Sequence, residues 1–139
     1  MKICRYQNVK TPGIPGRLGI LTEDQKIIDP NWALAIEYER MGYPNPFERA
    51  NHHLPSSLYQ LLNLVNSPIE RLQEGFSMDE FLKILGVTQS HKGLHYKFDA
   101  QSSDIKFLCP IDHIPVYRDF YVHEKHVKKG FEKRNGSLL

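Results

Sequence analysis

The period of the apolar positions changes along the chain, and the changes mark its elements. Residues 3–6 and 17–21 are short apolar runs that read as strands. Between them Pro12, Gly13, Pro15 and Gly16 form a turn-rich stretch in which a helix does not persist. Residues 26–29 read as a third strand after a turn over 22–25. From Pro30 the period becomes helical: Trp32, Leu34, Ala35 and Tyr38 recur at that spacing, and Gly42, Pro44 and Pro46 stand as breakers. Aromatics at that spacing beside Leu34 and Ala35 are core residues rather than a binding surface.

A second apolar stripe, Leu58, Leu61, Leu62 and Val65, begins after Pro55 and closes at Ser67 and Pro68, which predicts another helix. Residues 69–73 and 77–85 are shorter helical candidates, the latter with a cap at Ser77, a capping-box partner in Glu80 and a stop at Gly86. After a polar loop over 88–93, alternation over 94–98 and the run 105–109 predict a return to strands, with Ser102, Ser103 and Asp104 between them. Residues 110–115 read as a connector. From Arg118 charge alternates with Phe120, Val122, Val127 and Phe131, predicting a helix to about Arg134. No repeat or low-complexity segment interrupts this order, and the fold class expected is α+β.

Composition narrows the partners without naming one. The sequence of 139 residues, 40% hydrophobic, is long enough for one sizeable core, or a small domain and the start of another. A net charge of +2 from 18 basic and 16 acidic residues lacks the concentrated basic face of a nucleic-acid binder. Residues 125–134 are basic enough to touch phosphate, but Glu132 interrupts them and no aromatic platform accompanies them. The apolar runs are too short for a membrane helix, and residues 1–10 lack the apolar segment of a secretory signal. Cys4 and Cys109 sit singly in apolar runs and read as buried reduced thiols, which favours a cytoplasmic location.

The residues richest in chemistry are those from Arg118 to His126, which read Arg-Asp-Phe-Tyr-Val-His-Glu-Lys-His. In a helix, positions seven apart lie two turns apart on nearly one face, so Asp119 and His126 could look into one cavity with His123 between them. A plainer reading is also open. Asp119 would cap the helix, the two histidines would lie on a wet face, and Lys125, Lys128 and Lys129 would suit its C-terminal half.

The string Asp119-Phe120-Tyr121, followed by His126 and preceded by Leu108-Cys109-Pro110-Ile111, resembles the entry to the catalytic domain of fumarylacetoacetate hydrolase family proteins. The Glu-x-His-Val-Lys run from Glu124 to Lys128 resembles a bacterial branch of that family. The resemblance implies a small N-terminal strand and helix domain over residues 1–108. Residues 109–139 would then begin a mixed β-roll catalytic domain, present here only as its beginning.

It also implies metal-dependent cleavage of a carbon–carbon bond in acylpyruvates or related oxo acids, with isomerase, decarboxylase or hydratase activity as variants of one site. Asp119 would be one carboxylate ligand of Mg²⁺, or of Ca²⁺ or Mn²⁺, which as hard cations take oxygen donors. Tyr121 would contact the substrate, and His126 would activate water, its ordinary pKa near 6.5 suiting that role near neutral pH. A developing oxyanion needs donors or cations, for which Arg134 or Lys129 is available.

The family takes further acidic ligands and a glutamate partner for the histidine from elsewhere in its catalytic domain, so the chain alone is expected to be inactive. Its expected partners are an oxo acid substrate and either a second copy, as a homodimer, or a complementary catalytic chain. A non-catalytic module that docks through the helix from Arg118 is the alternative.

Two histidine pairs are discounted as metal sites. His52 and His53 read as solvated loop residues with no zinc-type partners nearby, and Gly93 between His91 and His95 opposes a helix that would align them.

Overall fold

A computed structural model of the chain describes residues 2–64, 70 and 90–113. Among these, two hairpin-connected strands open the fold: β1 (Lys2–Asn8) and β2 (Arg17–Leu21). The short β3 (Lys26–Ile28) follows. The turn before β3 places Gln25 at φ 58, and Thr22 closes it, its hydroxyl accepting from the Lys26 N–H at 3.0 Å. Helix α1 (Pro30–Arg40) comes next, then α2 (Pro46–His53) and α3 (Leu58–Leu62). A small hairpin pairs β4 (Ser90–His91) with β5 (Leu94–His95). The last strands are β6 (Lys97–Asp99) and β7 (Ile105–Leu108).

The main sheet has the order β6-β3-β2-β1-β7, and all its pairs are antiparallel. Chain order and sheet order therefore differ: the returning strands add to opposite edges, β6 beside β3 and β7 beside β1. The sheet curls as a half-barrel, and the class is α+β.

Helix α1 joins two apolar clusters. Leu34 and Ala35 pack with Leu18 of β2, Ala50 of α2, Leu54 and Leu61 of α3. Ala33 and Ile36 pack with Ile28 and Tyr96. A helix that buries seven of its eleven residues, Asn31 and Glu37 included, sits in the middle of the fold rather than on its surface. Gly19 of β2 leaves room for side chains of the flanking strands β1 and β3. A Cβ there would lie 2.6 Å from Ile27 Cγ2, 3.1 Å from Tyr6 Cδ1 and 3.2 Å from Cys4 Sγ.

Several sequence expectations change. Residues 46–53 form α2 rather than a continuation of a loop, because Pro46 occupies the first turn, where its missing N–H costs nothing. His52 and His53 are therefore exposed residues at the end of a helix. Residues 90–95 form a hairpin whose central Lys92 and Gly93 have φ 48 and 81, the combination of a type I′ turn. That places His91 on a strand rather than in the loop expected over 88–93, facing the strand that carries His95, where a strand was expected. Cys4, opposite Gly19 in the β1–β2 pair, is only half-buried, and Cys109, one residue past the end of the edge strand β7, is exposed. The helical expectations over 69–73 (apart from Glu70, which is helical), 77–85 and 118–134, and Val65 of the earlier stripe, lie outside the described residues. Among the described residues no helix is long and apolar enough to cross a membrane.

Candidate functional site

The polar residues buried deepest converge on one carboxylate. Asp29 ends the run after β3 and becomes the N-cap of α1, its side chain accepting from the Trp32 N–H at 2.9 Å. The Asp-Pro pair that starts this helix is favourable by residue type, since aspartate caps well and proline suits the first helical position. Two neighbouring strands supply the other donors. Tyr6 of β1 donates its hydroxyl to Asp29 Oδ2 at 2.7 Å. Arg17 of β2 donates through Nε to Oδ2 at 2.6 Å and through Nη2 to Oδ1 at 3.2 Å.

The network then extends into the helical layer. Arg17 Nη2 donates to Asn31 Oδ1 at 2.7 Å, and Asn31 Nδ2 donates to the Leu54 carbonyl at 2.8 Å and to Asn51 Oδ1 at 2.9 Å. The Arg17 guanidinium also lies 4.0 Å from the centre of the Trp32 ring, a cation–π contact. Tyr6 and Trp32 flank Phe98 of β6, with ring centres 5.2 Å and 6.2 Å away.

The electrostatics follow from burial. The Asp29 side chain is 0% exposed and that of Arg17 12%. Burial disfavours the guanidinium, but the Asp29 charge and hydrogen bond outweigh it and hold the Arg17 pKa above its ordinary value. Burial first, and the Asp29 charge second, push the Tyr6 hydroxyl far above the ordinary tyrosine range, so it remains a donor. Each Asp29 oxygen accepts two hydrogen bonds, which fills the carboxylate's acceptor capacity. Both oxygens are thus occupied by donors from the protein itself. This constellation braces the junction of β1, β2 and α1, and chemistry at it is closed.

A second, more exposed group lies where the chain leaves β7. Asp112 accepts from the Tyr59 N–H at 3.3 Å and from the Ser57 hydroxyl, and the His113 ring packs edge-on to Tyr59 at 4.6 Å. Partial burial pushes the Asp112 carboxyl up, but these hydrogen bonds and the nearby Arg5 charge outweigh it and hold it below the ordinary range. The connector after β7 is thereby fastened to the start of α3.

Asp119, Tyr121, His126 and Arg134 lie outside the described residues. Among the described residues no group of three His, Cys, Asp or Glu is placed to hold a metal ion. Sequence reasoning did not find the brace. Its one local signal was Asp29 before Pro30, whereas Tyr6 and Arg17 reach it from 23 and 12 residues away. No family model matches the chain, and neither a curated protein nor a solved structure matches it.

Proposed function

We propose that the chain carries the N-terminal domain and the catalytic entry segment of a metal-dependent carbon–carbon hydrolase of the fumarylacetoacetate hydrolase type, acting on acylpyruvates or related oxo acids. The observation that carries this reading is the Arg118-Asp119-Phe120-Tyr121 string with His126, which follows closely on the strand β7 and its fastened connector. The saturated Asp29 brace supports it from the other side, because the most buried carboxylate is already committed to structure.

In this reading Asp119 offers hard oxygen donors to Mg²⁺, Ca²⁺ or Mn²⁺, and a single carboxylate holds such an ion weakly. The cation, when bound, supplies Lewis-acid polarisation of the oxo acid. His126 takes a proton from water so that hydroxide attacks the carbonyl, and the bond to the adjacent carbon breaks with the leaving fragment departing as an enolate. Tyr121 and Arg134 contact the substrate, where a donor and a cation favour the developing oxyanion. With one assigned carboxylate, the chain by itself is expected to turn over no acylpyruvate.

A second reading, a docking module, draws on the exposure of Tyr59, Leu62, Phe107 and Ile111 along α3, β7 and the connector. Calorimetric titration of Mg²⁺ and Mn²⁺ into the chain and into an Asp119→Ala variant, with and without an acylpyruvate, separates the two. The hydrolase reading expects weak binding that the variant loses. Equal heats in both proteins, or none in either, would overturn it and leave the docking module.

A further inference from the structure

The chain has two cysteines, Cys4 in β1 and Cys109 one residue past the end of β7, and the β1–β7 register ends one step short of them. In the β1–β7 pair, Tyr6 faces Phe107 and Arg5 faces Leu108, so the next step of the same register opposes Cys4 and Cys109. The phase of the ladder is fixed at its other end, where the Val9 N–H donates to the Asp104 carbonyl at 2.8 Å. Opposed pairs alternate between hydrogen-bonded and non-hydrogen-bonded. Counting from Val9 and Asp104 makes Arg5 and Leu108 a hydrogen-bonded pair, and Cys4 and Cys109 a non-hydrogen-bonded one.

The next hydrogen bond needed to extend the ladder would require an N–H from residue 110, which is proline. The ladder ends at Leu108, where the next donor is missing and the chain bends at Pro110. Opposed residues of a non-hydrogen-bonded pair have Cα atoms about 4.5 Å apart and side chains on one face. That spacing lies at the short end of the range of about 4.4–6.8 Å that a disulfide spans.

We propose that Cys4 and Cys109 form a reversible cross-strand disulfide that clasps the end of β7 to β1. The two thiols differ in access, which gives the reaction an order. Cys109 is exposed and Cys4 half-buried, its sulfur 3.2 Å from where a Gly19 Cβ would stand. Without a side chain at Gly19 the Cys4 sulfur has room on the β2 side, and a change of χ1 carries it toward β7. Burial, and after it the Asp29 charge, push the Cys4 thiol up to about 11.

The oxidant is a low-molecular-weight disulfide. The Cys109 thiolate attacks one of its sulfurs, the S–S bond breaks, and one small thiolate leaves and is protonated by water. The Cys4 thiol then loses its proton to solvent, and its thiolate attacks Cys109 Sγ and expels the second small thiolate. Two protein thiols are oxidised to one disulfide, and one small disulfide is reduced to two thiols. With its pKa near 11, Cys4 is thiolate in only about one molecule in 10,000 at pH 7, so this closing step is the slow one.

The test uses the unmodified chain at low concentration with one equivalent of dithiobis(nitrobenzoate), following thionitrobenzoate release and intact mass. The clasp predicts two equivalents released from one of reagent. The product would be a monomer about 2 Da lighter than the reduced chain, carrying no adduct. The second phase should quicken about tenfold per pH unit between pH 7 and 9. A Cys4→Ser variant should stop at one equivalent with the adduct retained on Cys109. A stable mixed disulfide on the unmodified chain, a disulfide-linked dimer, or a second phase that ignores pH would each overturn the proposal.

Discussion

Replacing Asp29 by alanine removes the acceptor on which three elements converge. The variant loses the cap of α1 at the Trp32 N–H, leaves the Tyr6 hydroxyl buried without its partner, and strands the Arg17 guanidinium, whose side chain is 12% exposed, with Asn31. Breaking a buried ion pair from one side costs about 3–5 kcal/mol. The cap by itself accounts for about 1 kcal/mol of that, and the losses overlap because they share one carboxylate. Domains of this size are stable by about 5–15 kcal/mol, so Asp29→Ala should remove a large share of the total.

The assay is equilibrium unfolding in urea. The single tryptophan is Trp32, which lies against Arg17 and so reports on the brace itself. With a urea dependence of about 2 kcal/mol per M, the midpoint should fall by roughly 2 M. The double variant Arg17→Met with Asp29→Asn should recover part of the loss, since removing the cation removes the stranded charge. A destabilisation by Asp29→Ala below about 1 kcal/mol would refute the brace, because a cap and nothing more would then explain the site.

Gly19→Ala should destabilise by about 1–3 kcal/mol in the same assay, because its methyl would meet Ile27 Cγ2 at 2.6 Å in a tight layer, and an unchanged midpoint would show that the layer yields freely. Asp112 has a folded pKa held below its unfolded value. The contact it makes with Ser57 and Tyr59 should therefore be whole above about pH 4 and be lost as pH falls through that lower value. Following the Tyr59 and His113 resonances by NMR through that range, beside an Asp112→Asn control and with Arg5 as the nearby cation, checks the sign. Release of the contact as pH rises would contradict it.

Much of the fold was legible because it is local. The apolar runs of β1 and β2, the helical period from Pro30 and the stripe of Leu58, Leu61 and Leu62 each report their own neighbourhood. Where a residue has two structural meanings, the pattern misled. Pro46 reads as a breaker but opens α2; α1 has already ended at Arg40, and Gly42 at φ 75 and Asn45 at φ 53 turn the chain between them. The hairpin of β4 and β5 was hidden by its length, two residues a side. The exposure of Cys109 was hidden because the apolar run 105–109 outlasts β7, which ends at Leu108, and strand order is not written in any one segment. The brace was illegible for the same reason, since β1, β2 and the start of α1 each contribute one member and nothing in their local patterns pairs them.

The saturation of Asp29 also bears on where chemistry can reside. A catalytic carboxylate needs an oxygen open to its substrate, and both Asp29 oxygens are taken up by Tyr6, Arg17 and Trp32. The other buried carboxylate among the described residues, Glu37, accepts from Arg40 at 3.1 Å one helical turn away. Burial in this domain is thus spent on position, and the reactive groups of the proposed hydrolase fall on Asp119, Tyr121, His126 and Arg134. The two sets should separate in experiment. Asp29→Ala should lower unfolding free energy and leave the heat of Mn²⁺ binding per folded molecule unchanged, whereas Asp119→Ala should do the reverse. If Asp29→Ala instead abolished metal binding in molecules that remain folded, the division between a bracing domain and a reactive segment would fail.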